Sequence, residues 1–378
     1  MYDLIVVGAG PAGSTAARTA SKMGLKALIL EKEAFPRYKP CGGALSDRAI
    51  SLLDFSLPEE LCERTITGAR VHFKGAVTER RKGYRLLTLV TRSSFDSFLL
   101  QKALDAGAEH ANQKVLDFVE SKDHVEVLTE EGCHKSRFLV IASGFQSRLK
   151  ERIQGPDAKD QYGICLVTEI EEKDEEIDRR LPAILDIYFG VAEGGYGWIF
   201  PHRGYYSVGI GGGAEMFQHP RAAMNDFMKR NGFFGNYRLH GHLIPFGGGR
   251  NRKIASSRVL LAGDSAGFVD AFTGEGIYYA IRSGQIAART AAEKLTDERL
   301  NLPRTYESRC KRDFGTELKY AHLMFRIMHS RPDLLYRVLT SQEEILDRYI
   351  EIAAARRTYK GFIRWMAPKM PSSILRAI

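Results

Sequence analysis

The stretch YDLIVVGAGPAG, residues 2–13, runs an apolar segment into three glycines, Gly8, Gly10 and Gly13, spaced GxGxxG. The apolar segment reads as a buried strand, and STAARTASKMG after it reads as the helix of a strand–turn–helix unit. A second apolar run, KALIL, ends at Glu31, 18 positions beyond the last glycine. Each part suits a bound dinucleotide. Gly8 permits the tight turn, Gly10 lets a pyrophosphate approach the backbone, and Gly13 lets helix and strand pack closely. The helix N-terminus favours phosphate, and Glu31 accepts hydrogen bonds from a ribose. A lone GxGxxG is a weak signal; with strand, helix and acidic residue in register it becomes a strong one.

Working outward, three more segments belong to the same unit. LLTLVTRSSFDSFLLQKALDAGA, residues 86–108, places Arg92 just before a helix presenting Phe95, Phe98 and Leu99. SRFLVIASG (136–144) is an apolar strand ending in a small-residue turn, and SSRVLLAGDSAGFVDAFTGEGI (256–277) is another, ending at Gly263-Asp264. An NAD domain needs no such dispersed set. GEGIYYAIRSG (274–284) then leads two glycines straight into a helical pattern, with Thr273 as its candidate cap. Glycine weakens a helix start, so Gly274 and Gly276 imply close approach of a ligand to the backbone.

The rest of the composition is ordinary for a globular chain. Its 378 residues are 44% hydrophobic and 27% charged, enough to bury a large core. The five cysteines, at 41, 62, 133, 165 and 310, form no CxxC pair and no Cys/His cluster, so no metal site is expected and reduced thiols in a cytoplasmic protein are. The N-terminus enters its strand at once, without a basic leader, and no run of 18 apolar residues suggests a spanning helix. Net charge is +9, and residues 301–378 carry 15 Lys+Arg against 8 Asp+Glu. Charge alone finds no nucleic-acid motif to support it, so no nucleic-acid partner is expected.

These segments together resemble the FAD-dependent group that includes para-hydroxybenzoate hydroxylase, over roughly residues 1–300. Two further motifs narrow the likeness. Lys39-Pro40-Cys41-Gly42-Gly43 and Tyr196-Gly197-Trp198-Ile199-Phe200-Pro201 are similar to the KxCGG-type and YxWxFP segments of the geranylgeranyl reductase family, flavoenzymes that saturate isoprenoid double bonds. The resemblance implies FAD as cofactor, with Asp264 bonding the ribityl chain and the Gly274–Ile277 helix start at the flavin pyrimidine, where reduced flavin is negative and a helix dipole is favourable. It further implies Gly8, Gly10, Ala12, Gly13, Glu31, Lys32, Cys41, Gly42, Gly43, Ala44, Arg92, Val115, Gly144, Gly263, Asp264, Gly274, Gly276 and Ile277 around the cofactor. Cys41 becomes the active-site residue, and Tyr196, Trp198 and Pro201 meet substrate. The chain departs from the family at Ala142-Ser143-Gly144, where an Asp-Gly pair is usual, at Ala271 in place of a frequent proline, and at His202 in place of a frequent lysine.

The expected architecture is α/β: a Rossmann-like FAD-binding domain (1–50, 85–150 and 255–300), an inserted antiparallel-sheet substrate domain (51–84 and 151–254) and a helical C-terminal segment (301–378). TITGARVHF, YGICLVTEI, AILDIYFG and YYSVGIGGG are its strands. Tyr188, Phe189, Tyr196, Trp198 and Phe200 are candidate walls of an apolar tunnel. Residues 360–378 mix Phe362, Ile363, Trp365 and Met366 with Lys360, Arg364 and Lys369. That pattern suits either a helix on an anionic membrane surface or a helical cap over the site, and a peripheral place at the inner membrane face goes with the first. The family likeness implies a polyprenyl lipid substrate, hydride from flavin N5, and NADPH or ferredoxin as electron donor, since no second dinucleotide fingerprint exists. A flavin monooxygenase or halogenase, and a non-catalytic lipid-carrying flavoprotein, are the competing readings.

Overall fold

The computed structural model describes residues 1–250, 252–330, 333, 343–366 and 368. Its first sheet is built on β1 (Tyr2–Val7), flanked by β2 (Ala27–Glu31) and β11 (Gly132–Ile141), with β8 (Glu109–Asn112) outside β2 and β17 (Val259–Leu261) outside β11, all parallel. Leu4, Ile5 and Val6 of β1 are fully buried in succession. Such a run without alternation is what a parallel strand covered on both faces requires. The first half of β11 turns antiparallel to β10 (Val125–Thr129), which pairs with β9 (Val115–Glu120). The carboxyl ends of β1, β2, β11 and β17 therefore open on one side, the place where ligands bind in doubly wound sheets.

Two helices cross over that sheet, Pro11–Lys22 and Ile277–Thr296. Their closeness is set by glycine: a Cβ at Gly284 would lie 2.3 Å from the Ala12 carbonyl oxygen, and one at Gly13 would lie 1.8 Å from the Gly8 oxygen.

The second sheet runs β16 (His240–Pro245), β12 (Tyr162–Glu171), β15 (Tyr205–Gly213), β14 (Tyr196–Pro201), β13 (Ile184–Phe189), β5 (Gly68–Phe73) and β6 (Ala76–Arg81). It is antiparallel except where β13 meets β5. A small third sheet sets β7 (Leu87–Leu89) between β3 (Ala44–Ser46) and β4 (Arg64–Ile66). The expected single strand TITGARVHF is thus two. Thr67 breaks it, because its N–H donates to the Ala183 oxygen and its oxygen accepts from Lys82, which carries the chain from one sheet to the other.

Beyond residue 300 the described chain is helical: Leu302–Cys310, Thr316–Ser330, Glu343–Ala353 and Tyr359–Met366, with one π-helical turn at Lys311–Gly315. Of the two readings of residues 360–378, the described part shows the features of the cap. Phe362 and Met366 are 3% and 1% exposed, packed in a cluster with Phe272 and Tyr349. Trp365 is only partly covered, under the Arg348 guanidinium at 4.0 Å. The helix presents its apolar side to the protein interior, as a cap does. Lys369 and residues 370–378 of that expectation lie outside the described residues. Among those described, no helix is long and apolar enough to cross a membrane.

Candidate active site

One continuous cavity of about 1090 Å³ begins at the glycine turn and ends among apolar side chains of the second sheet. Of the expected residues, Gly8, Gly10, Ala12, Glu31, Lys32, Cys41, Gly42, Gly43, Ala44, Arg92, Val115, Gly144, Asp264, Gly274, Gly276, Ile277, Tyr196 and Trp198 line it. Gly13, Gly263 and Pro201 do not. Gly13 packs helix on strand. Gly263 sits at φ +57, its N–H donating to Ser283 Oγ at 2.9 Å. Pro201 ends β14 opposite Tyr206, buried in the sheet. Of the candidate tunnel aromatics, Tyr196, Trp198 and Phe200 reach the cavity, whereas Tyr188 and Phe189 do not. Tyr188 is instead stacked on His72, and Phe189 is core.

The entry half is built for an anion. Gly8 has φ +100, and a side chain there would collide with Ala142. At Gly10 the nearest atom to an added Cβ would be Arg37 Nη2, at 3.6 Å, so the backbone is open on the cavity side. Asp96, fully buried, receives both Arg92, through two bonds of 2.8 Å, and Arg37 Nη2 at 3.1 Å. Arg37 Nη1 and Ser143 Oγ are buried without a protein partner, and both residues line the cavity. Buried donors of this kind need an acceptor, and a pyrophosphate beside Gly10 supplies one. The residues therefore fit a dinucleotide. Arg37 was not legible as a site residue, because its place depends on Asp96, 59 positions on. Glu31 does more than expected: Oε2 accepts from the Ala9 N–H at 2.8 Å, fixing the turn from the next strand.

At the middle of the cavity Lys39 Nζ lies 2.9 Å from His242 Nε2, and His242 lies 3.8 Å from Asp264 Oδ2. Burial pulls Lys39 down, and burial with Lys39 alongside pulls His242 down. For Asp264 burial pushes upward, but the His242 contact and Lys39 outweigh it and hold the carboxyl below the usual range. Asp264 is thus an ionised acceptor facing the cavity.

The expected cap is corrected. The helix starts at Ile277 with Gly276 at its cap and no side-chain capping bond. Thr273 instead serves the turn before it: its Oγ1 accepts from Glu275 N at 3.3 Å, while Asp270 Oδ1 accepts from Phe272 and Thr273 N–H groups at 2.9 and 2.8 Å. Gly274 needs its φ of +74. Three distant elements lock this turn. Tyr359 donates to Asp270 Oδ2 at 2.8 Å, Tyr196 donates to the Thr273 oxygen at 2.5 Å, and Ser46 donates to Glu275 at 2.6 Å.

The Cys41-Gly42-Gly43 loop lies against the Tyr196–Pro201 strand. A Cβ on Gly42 would stand 2.8 Å from the Phe200 ring and 3.5 Å from Trp198 Nε1, so only glycine passes. Trp198 in turn covers Gly209, where a Cβ would sit 2.2 Å from the indole. Ile66, Leu185, Ile187, Tyr349 and Ile350 continue the cavity past Trp198 as an apolar arm.

Residues 3–144 match the family described as FAD dependent oxidoreductase, and residues 89–362 match the family described as tryptophan halogenase. Over its length the chain is 30% identical to the digeranylgeranylglycerophospholipid reductase of Methanocaldococcus jannaschii, covering 98% of this chain and 96% of that one.

The chain belongs to the geranylgeranyl reductase family of FAD-dependent oxidoreductases.

The halogenase match places this reductase-family enzyme within the wider set of flavoproteins that share its architecture. Among solved structures, a geranylgeranyl bacteriochlorophyll reductase-like protein from Thermoplasma acidophilum superposes with a TM-score of 0.79 at 23% identity, covering 98% of this chain and 99% of that one. A flavin-dependent brominase does so with 0.73 at 20% identity, covering 98% and 100%. Both confirm the fold. The cofactor of this family member is FAD.

Proposed function

We propose that this enzyme saturates carbon–carbon double bonds of a polyprenyl lipid of geranylgeranyl type. The observation that carries the reading is a single cavity lined at once by the glycine turn, by Cys41 and by the aliphatic and aromatic side chains of Ile66, Leu185, Ile187, Trp198 and Ile350. Relatives named for reduction of geranylgeranyl chains support it. FAD, when bound, supplies the hydride.

Arg37, Arg92 and the glycine turn would hold the pyrophosphate, Asp264 would accept from the ribityl chain, and the uncapped helix start at Gly276 would favour negative charge near it. Tyr196, Trp198 and the apolar arm align the chain and exclude water, which matters because reduction of an isolated alkene develops cation character. Cys41 lines the same cavity. A polyprenyl chain reaches the site through the apolar arm; electrons come from NADPH or a ferredoxin.

The test is anaerobic single-turnover oxidation of the reduced enzyme by a polyprenyl diphosphate, comparing wild type with Cys41→Ala. Loss of most of the alkene-dependent rate with FAD retained is expected. A rate within about twofold of wild type, roughly 0.4 kcal/mol, removes the thiol from the mechanism. The halogenase family match favours a second reading, oxygen-dependent monooxygenation or halogenation of an apolar or aromatic compound. Product formation that requires oxygen selects it.

A further inference from the structure

His202 is buried, yet both of its ring nitrogens meet acceptors. Nε2 is 3.1 Å from the Gly42 carbonyl oxygen, and Nδ1 contacts Glu63 Oε2. A carbonyl can only accept, so Nε2 carries a proton. Glu63 also takes the Thr91 hydroxyl and the Arg203 backbone N–H. Although burial pushes its carboxyl upward, the His202, Thr91 and Arg203 donors outweigh that and hold it below the usual range. Nδ1 faces that carboxylate, so the His202 ring links Glu63 directly to the Gly42 carbonyl.

The carbonyl it binds belongs to the Gly42–Gly43 peptide, and the N–H of that same peptide donates to Cys41 Sγ at 3.4 Å. Hydrogen bonds in series polarise one another, so a donor fixed on the oxygen side of the peptide strengthens the donor on its nitrogen side. We propose that Glu63 and His202 are positioning residues that act through the Gly42–Gly43 peptide to stabilise negative charge on the Cys41 sulfur and so set its reactivity. The role of that reactivity in alkene reduction rests on the function proposed above; the relay itself does not.

The surroundings suit it. Tyr205 stacks on the imidazole at 4.6 Å and 12°, Arg64 Nε donates to the His202 carbonyl at 2.9 Å, and Glu169 is the remaining carboxylate that senses the ring. Gly43 is held at φ +69 with room for no side chain, since a Cβ there would lie 2.9 Å from the imidazole.

The experiment measures iodoacetamide alkylation of each cysteine by peptide mass spectrometry in the FAD-loaded enzyme at fixed pH, without substrate. The thiolate is the species that reacts. His202→Gln keeps a donor to the Gly42 carbonyl but loses the ring's link to Glu63, and Cys41 labelling should slow by about tenfold, the scale of one charge-assisted bond. His202→Lys should restore it to within about twofold, and Cys62 and Cys133 should label unchanged throughout. Glu63→Gln, nearly isosteric, gives a second measure should His202→Gln fail to hold flavin. Cys41 labelling equal to wild type in a flavin-loaded His202→Gln or Glu63→Gln enzyme overturns the proposal, as does failure of His202→Lys to restore it. If Cys41→Ala reduces alkenes normally while these labelling changes occur, the relay stands and the catalytic reading of the thiol falls.

Discussion

At the scale of single residues the site is governed by charges that burial would otherwise expel. Asp264 stays ionised because His242 and Lys39 face it. Its folded pKa lies below that of the unfolded chain, near 4, so its ionised form stabilises the fold above about pH 4, and the contribution is lost as pH falls through the folded value. Asp264→Asn should therefore flatten the loss of stability between about pH 5 and pH 3. Urea unfolding at stepped pH checks this; equal slopes for the two proteins would show that the native carboxyl is not held down. The substitution should also weaken FAD retention at neutral pH, since an amide is a poorer acceptor for the ribityl hydroxyls. The cluster was only half legible. Lys39 stood out through its motif, but His242 approaches from a strand 203 positions away, and no local spacing announces such a pair.

Elements are placed by glycines whose reason is steric. Gly284 lies in the middle of the Ile277–Thr296 helix, where alanine would gain about 1 kcal/mol of helix propensity. Against that, a Cβ there would stand 2.3 Å from the Ala12 backbone oxygen in the neighbouring helix. Backbone cannot step aside as a flexible side chain can, and overpacking costs about 1–3 kcal/mol or more. The clash wins: Gly284→Ala should lower stability and weaken FAD retention, because it separates two helix starts that both line the cavity. Gly315→Ala is the control. Its Cβ would meet the Lys311 side chain at 3.4 Å and the Cys310 oxygen at 3.8 Å, both ordinary contacts, so it should be neutral or slightly stabilising. Thermal unfolding followed by flavin fluorescence distinguishes them, and equal midpoints would refute the packing argument. Here the sequence was informative where the chemistry was local. Strand, turn, helix and Glu31 fall within the first 31 residues, and their spacing alone encodes the turn. Gly284 carries no such signature, because its partner is on another element. Thr67 is similar: β-branched and apolar neighbours read as one strand, and only the long-range bonds to Ala183 and Lys82 divide it.

On the scale of the whole molecule, the C-terminal helices close the apolar arm and also brace the cofactor end. Tyr349 and Ile350 line the cavity, and Tyr359 reaches Asp270, which caps the turn leading to Gly274. The basic and aromatic pattern of residues 360–378 looked equally suited to a membrane surface, since composition cannot tell which side of an amphipathic helix has a protein against it. Burial decides for the described part, and it yields opposite forecasts. If Phe362 were a membrane anchor, Phe362→Ala would leave the unfolding midpoint alone and weaken binding to anionic vesicles. Packed as it is, 3% exposed beside Phe272 and Tyr349, its truncation should leave a cavity and cost about 3–5 kcal/mol. It should also loosen the Tyr359–Asp270 bond, so flavin fluorescence should rise at a lower temperature than in wild type. Co-sedimentation with anionic vesicles should be the same for both proteins at low and at high salt. A vesicle-binding defect in Phe362→Ala with an unchanged unfolding midpoint would return this helix to the membrane surface and leave the apolar arm without its cap.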